Sequence, residues 1–202
     1  DSELLREKFE QSLEFAVTED LQRTAAAMAQ GPYDGLFELL DYAAVNIRES
    51  GATNSAICSL EGSVNAPAAL PEDLDKWRGI GELLLTQKGL FRKTVTVRQG
   101  FPTTDKPKKK AMCDLLQVLA DDHELAASLH AAMSLPPTRY SDEQWTVLLA
   151  LFRLLPLAVT ELRRLFNQQG IADHIDIALS ASAALGSAEN PGDVALLLDY
   201  QV

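Results

Sequence analysis

The chain has 202 residues, of which 47% are apolar and only 6% aromatic; that is ample length to close a core, and the composition suits a Leu/Ala-rich helical protein rather than a β-sandwich. Its formal net charge is −11, which taken alone argues against a nucleic-acid ligand. No apolar run approaches the roughly 18 residues that span a bilayer, and no N-terminal segment has signal-peptide anatomy, so a cytoplasmic location with no membrane partner is expected.

In chain order, helices alternate with clear punctuation. Ser2 caps a first long helix to about Met28, with Leu5, Phe9, Leu13 and Ala16 spaced by three or four. Gly31-Pro32 ends it. A second helix, about Leu36 to Glu49, buries Leu36, Leu40, Ala43 and Ile47, and Gly51 closes it. A short helical piece near Asn54–Leu60 precedes an internal loop, residues 61–70, with Gly62, Asn65 and Pro67. Pro71-Glu72-Asp73 opens the next helix, since proline and acids suit a first turn; Leu74, Trp77, Gly81 and Leu84 mark its inner face.

After Gly89 the pattern changes. Arg92, Thr94, Thr96 and Arg98 alternate with Lys93, Val95 and Val97, and β-branched residues dominate. This predicts a short extended arm near residues 89–102, within a basic segment 89–106, stopped by Gly100-Phe101-Pro102. Helix resumes after Pro107 to about Leu119, breaks at Asp121-Asp122 and continues to about Met133, and Pro136-Pro137 interrupts it.

The best-specified helix follows. Ser141 is its N-cap, Gln144 completes a capping box, and Tyr140 and Trp145 flank it as a hydrophobic staple. Apolar residues recur at Trp145, Leu148, Leu149, Phe152, Leu155, Val159, Leu162 and Phe166, and Leu151, Leu154, Ala158 and Leu165 widen the stripe beyond one face. So apolar a helix is expected at the centre of its domain, with Leu148, Phe152, Leu155 and Leu162 fully buried and a kink at Pro156. Gly170 and Gly186 bracket one further helix, and Asn190-Pro191-Gly192-Asp193 starts the last. The expected fold is all-α: an irregular bundle of about seven to nine helices forming a single helical domain over residues 1–202, with the short basic arm as its one extended part.

The charge is unevenly distributed. Between Lys76 and Lys110 stand ten Lys/Arg and two acids, Glu82 and Asp105; that stretch is +8, which leaves −19 on the rest of the chain. A local basic face is what a phosphate backbone senses, whatever the net charge. Lys88, Arg92, Lys93, Arg98, Lys106, Lys108, Lys109 and Lys110 are the candidate DNA-binding residues, with Trp77, Phe91 and Phe101 beside them. The bland alternative is a solvated lysine-rich loop.

No residue is assigned a catalytic or metal role. The chain has no GxxxxGK[ST] loop to cradle a triphosphate, no HExxH, no GxSxG and no paired-carboxylate motif. His123 and His130, seven apart on one expected helix, lack the further ligands of a metal site. Cys58 and Cys113 have no CxxC or Cys/His spacing around them and are expected as two buried thiols in a reducing compartment. The chain alone is therefore expected to be no enzyme and to hold no cofactor.

Two stretches carry a resemblance. From Trp145 the chain reads WTVLLALFRLLPLAVTELRRLFNQQGIADHIDIALSASAALGSAENPGDVALLLDYQV, and from Lys76 it reads KWRGIGELLLTQKGLFRKTVTVRQGFP. Both resemble ATP-dependent DNA helicases of the UvrD/Rep type, in particular the AddA and RecB-like helicase–nucleases. The first resembles the segment leading to the Asp-Glu motif, and the second a tryptophan-led helix followed by a basic turn and Gly-Phe-Pro. The resemblance covers roughly two fifths of the chain, leaves the first seventy residues unmatched, and departs at His174, where the family usually has an aromatic.

In that family the first stretch runs on into a strand ending in DEFQDT; here Tyr200-Gln201-Val202 ends the chain before it, and Asp1 rather than Met begins it, as in a piece of a longer protein. The resemblance implies a 1B-like helical insertion of a larger helicase, with ATP and Mg²⁺ held by the parent's motor domains. Its partners would be the duplex DNA backbone, bound without sequence specificity, the remaining motor domains of the same polypeptide, and a partner nuclease subunit. A protein-interaction module docking such a subunit is the alternative.

Overall fold

Helices form where the apolar periodicity and its punctuation put them. The computed structural model describes residues 2–31, 33, 35–186 and 192. Among these the regular structure is α1 (Ser2–Met28), α2 (Leu36–Glu49), α3 (Leu74–Leu84), α4 (Lys106–Leu119), α5 (His123–Ser134), α6 (Asp142–Gln169) and α7 (His174–Leu185), with 3₁₀ turns at Ala56–Leu60, Pro71–Asp73 and Val97–Gln99. The fold is all-α and irregular; an isolated antiparallel bridge joins Leu85 to Phe91. The chain divides into two compact units, Asp1–Tyr140 and Ser141–Val202.

In the first unit α3 is the central element. It packs on the Ala56–Leu60 turn and on α5, while α1 packs on α5 and α2 on α4. Trp77, Ile80, Leu83 and Leu84 are buried completely, against Leu21, Leu40, Ile57, Leu60, Met112 and Leu129 in one core. The two glycines inside α3 permit the close approaches. A Cβ on Gly79 would stand 2.5 Å from the carbonyl oxygen of Ala56, and one on Gly81 would stand 2.6 Å from the Met133 side chain. The Glu82 carboxylate accepts from Ser55 Oγ and from the backbone N–H of Ala56, both at 2.9 Å, and so pins the 3₁₀ turn to α3.

The expected inner residues of α2 and of α3 are all buried. Three expectations are corrected. In α1 the buried face is Glu10, Val17, Leu21, Thr24, Ala27 and Met28, while Leu5 is 38% exposed and Phe9 37%. The two stripes lie about one residue apart around the helix at about 100° per residue, and α5, which covers α1, selects the second. The segment after Gly89 is not a projecting strand. It is irregular, ends in the Val97–Gln99 turn and lies on the body with Val95 fully buried.

The third correction concerns α6. Trp145 is its one buried residue; Leu155 is 60% exposed and Leu162 46%, and Leu148 and Phe152 are half-buried. Ser141 and Gln144 do form the capping box, Gly170 ends the helix at φ 63°, and the helix runs through Pro156. By length and composition α6 is also long and apolar enough to cross a membrane: mean hydropathy reaches 1.6 over 18 residues, of which 6% are buried. An apolar stretch of spanning length is thus present where none is expected from the sequence. The expected last helix from Asn190, the stop at Pro32 and both chain ends lie outside the described residues.

Candidate nucleic-acid interface

Cations are unfavourable at a helix N-terminus, where the macrodipole and unpaired N–H groups are already positive. Yet α4 begins Lys106-Pro107-Lys108-Lys109-Lys110 with no acid in its first turn. Asp105 offsets part of this by accepting from the backbone N–H of Lys108 at 3.1 Å. A helix start that breaks its own charge rule is a place to look for function. Buried Met112, Leu116 and Leu119 fix the rotation of α4. Lys106 and Lys110 are therefore exposed and Lys109 half-buried, and together with Cys113 they follow one another at helical spacing.

Lys108 belongs elsewhere. It pairs with Glu38 of α2, its ammonium lies 5.7 Å from the centre of the Tyr42 ring, and Glu38 raises its pKa. Arg92 is likewise employed inside the fold. Its Nε donates to the carbonyl of Leu83 at 3.1 Å and its Nη2 to that of Glu82 at 3.2 Å, satisfying carbonyls at the C-terminus of α3. Burial pulls the Arg92 pKa down and the Glu82 charge opposes this.

The remaining cations sit on turns that local chemistry fixes. Lys88 is on a tight turn closed by the N–H of Thr86 to Leu90 O at 2.8 Å; Gly89 there has φ 72°, and a Cβ would stand 2.9 Å from the His130 ring. Arg98 lies on the Val97–Gln99 turn, which Thr96 and Gln99 close as a capping box. That turn is held on α2 by Asn46 Nδ2 donating to Gly100 O at 2.9 Å. Gly100 has φ 80°, and a Cβ would stand 2.3 Å from Ala43 O, so only glycine fits. Lys93 precedes Thr94, whose hydroxyl is 3.6 Å from Cys113 Sγ.

That last contact brings the segment after Gly89 alongside the α4 stripe. Lys93 thus lies on the segment that touches α4 at Cys113, while Lys88 is held beside α5 and Arg98 beside α2. Among the described residues, no ion pair engages Lys88, Lys93, Arg98, Lys106, Lys109 or Lys110, whereas Lys76 pairs with Asp73 at 2.7 Å and Arg78 with Asp75 at 2.8 Å.

Of the three aromatics near the basic stretch, Trp77 and Phe101 are core; Phe91 alone is half-buried. With Leu116, Gln117 and His123 it lines a groove of about 540 Å³ beside Lys93. Charge pattern did not single out Gln117 or Leu116, because they meet Phe91 only through the packing of the 85–96 segment on α4. Both cysteines are free thiols, half-buried rather than fully buried, and no group of three or more metal-binding side chains occurs among the described residues. Comparison with protein-family models, with curated proteins and with solved structures finds no match to this chain.

Proposed function

We propose that this chain is a non-catalytic accessory domain of an ATP-dependent DNA helicase, a 1B-like insertion that touches the duplex backbone near the unwinding junction. The observation that carries the reading is the α4 stripe of Lys106, Lys109 and Lys110, free of ion pairs among the described residues on a chain that is acidic elsewhere, with Lys93 on the segment that touches the same helix at Cys113. A stripe without base-reading geometry grips phosphates and is indifferent to sequence. ATP and Mg²⁺ would act in the motor domains of the same polypeptide, in the cytoplasm. The apolar exposed surface of α6 favours a second reading, in which this chain docks a partner subunit such as a nuclease.

The reading is tested by reversing Lys93, Lys109 and Lys110 to Glu and measuring binding to a short duplex at low salt. Affinity is expected to fall at least tenfold, and unwinding by the parent to drop while its basal ATPase persists. Unchanged affinity and unwinding would sink the DNA reading and bring partner docking forward.

A further inference from the structure

The groove next to Lys93 differs from the stripe in kind. Its apolar lining is half-buried Phe91 and Leu90, itself 58% exposed, with Leu116 almost wholly covered behind them. Gln117 and His123 supply hydrogen-bonding groups, and Lys93 and Arg92 outweigh the single charge of Asp114. Neither the Gln117 side-chain amide, the Lys93 ammonium nor the His123 ring has a partner among the described residues. A volume of about 540 Å³ lies in the range of sites that enclose a small planar ligand. An anionic backbone lying along Lys106, Lys109 and Lys110 meets Lys93 at the groove, since Thr94 touches Cys113 one turn further along α4. Duplex bases are stacked and unavailable to such a groove, but an unpaired nucleotide presents a flat apolar face on the same phosphate chain. Cationic grooves with an aromatic floor hold single strands in this way, because every base has a face to stack.

We infer that this groove binds one unpaired base of single-stranded DNA, with Phe91 and Leu90 against the base and Lys93 on its phosphate. The inference rests on the DNA reading above and adds to it a preference for a junction, where a duplex and an unpaired strand meet. Gln117 and His123 would take the edge of the base without strict selection among bases.

The test uses the full 202-residue chain and fluorescence anisotropy at low salt. A short single-stranded oligonucleotide is compared with one of equal phosphate number made of abasic residues, and with a duplex. The base-bearing strand is expected to bind about tenfold more tightly than the abasic one. Leu90→Gln, at an exposed position, and Phe91→Ala should each remove most of that difference while duplex binding stays within about twofold. Leu90→Gln keeps the test sound should Phe91→Ala perturb the fold. Equal binding of base-bearing and abasic strands, or a difference untouched by Leu90→Gln, overturns the inference while the duplex result leaves the backbone reading standing. Absence of binding to any of the three overturns both.

Discussion

Glu10 shows how one residue fixes the end of the first unit. It lies on the inner face of α1 and accepts from the backbone N–H of Tyr140 at 3.0 Å, from Arg6 Nε at 3.0 Å and from Arg139 Nη1 at 3.1 Å. The Tyr140 N–H first, then Arg6 and Arg139, hold its carboxyl below the ordinary range against the opposing effect of burial. A carboxylate whose folded pKa is depressed adds stability above its unfolded pKa, near about 4.3, and that stability is lost as pH falls through the lower folded value. Glu10→Gln should therefore cost about 1–3 kcal/mol at neutral pH and flatten the acid limb of stability below about pH 4, as urea melts across pH would read. A wild-type acid limb in the variant would show that the latch contributes nothing. The two α3 glycines separate in a second comparison. Gly79→Ala drives a methyl onto the Ala56 carbonyl, part of a pinned backbone, and should cost about 1–3 kcal/mol. Gly81→Ala meets the Cγ and Sδ of the flexible Met133 side chain, stands 3.4 Å from the Leu129 carbonyl oxygen in ordinary contact, and gains helix propensity of about 1 kcal/mol, so thermal melts should show it close to neutral. Equal losses would mean that the 56–60 turn yields as readily as a methionine tip.

Among the elements, helix positions were legible because punctuation is local. Gly51, Pro71, Asp122, Ser141 and Gly170 act on their own backbone neighbours, and helix limits follow them closely. Which face is buried depends on another element and was legible only where one stripe stood alone, as in α2 and α3. In α1 two stripes compete, and Glu10, whose charge argues for solvent, lies inside because Arg6 and Arg139 satisfy it. The basic candidates divide for the same reason: charge is visible in the sequence, but the carbonyls that occupy Arg92 and the Glu38 that occupies Lys108 come from other elements. In α6 the apolar stripe reads as core, whereas its leucines from Leu151 onward are exposed. Substitution separates these cases. Leu21→Ala and Leu40→Ala, at fully buried sites, should cost about 2–5 kcal/mol, while Leu155→Ala and Leu162→Ala should stay within about 0.5 kcal/mol in urea melts of the 202-residue chain. A loss of core size at Leu155 would show that α6 is covered.

At the scale of the whole molecule the decisive quantity is how many cations a phosphate backbone meets. Of the eight candidates, Arg92 and Lys108 hold the fold together and six carry no ion pair. If about five of those six each neutralise one phosphate, duplex affinity should fall with salt at a log–log slope of roughly −4 to −5. Single substitutions then distinguish grip from scaffold. Lys93→Ala or Lys109→Ala should make the slope shallower by about 1 without a change in stability. Arg92→Ala should leave the slope unchanged and lower stability, because the Leu83 and Glu82 carbonyls lose their donor. The −19 carried by the rest of the chain repels DNA at every distance within the Debye length of about 10 Å at 0.1 M salt, so it orients the chain instead of cancelling the basic face. Added salt screens that repulsion as well as the attraction. A slope near zero, or one that Arg92→Ala changes as much as Lys93→Ala does, would show that the lysine stripe is a solvated helix end and that the contacts of this chain lie on its apolar surface.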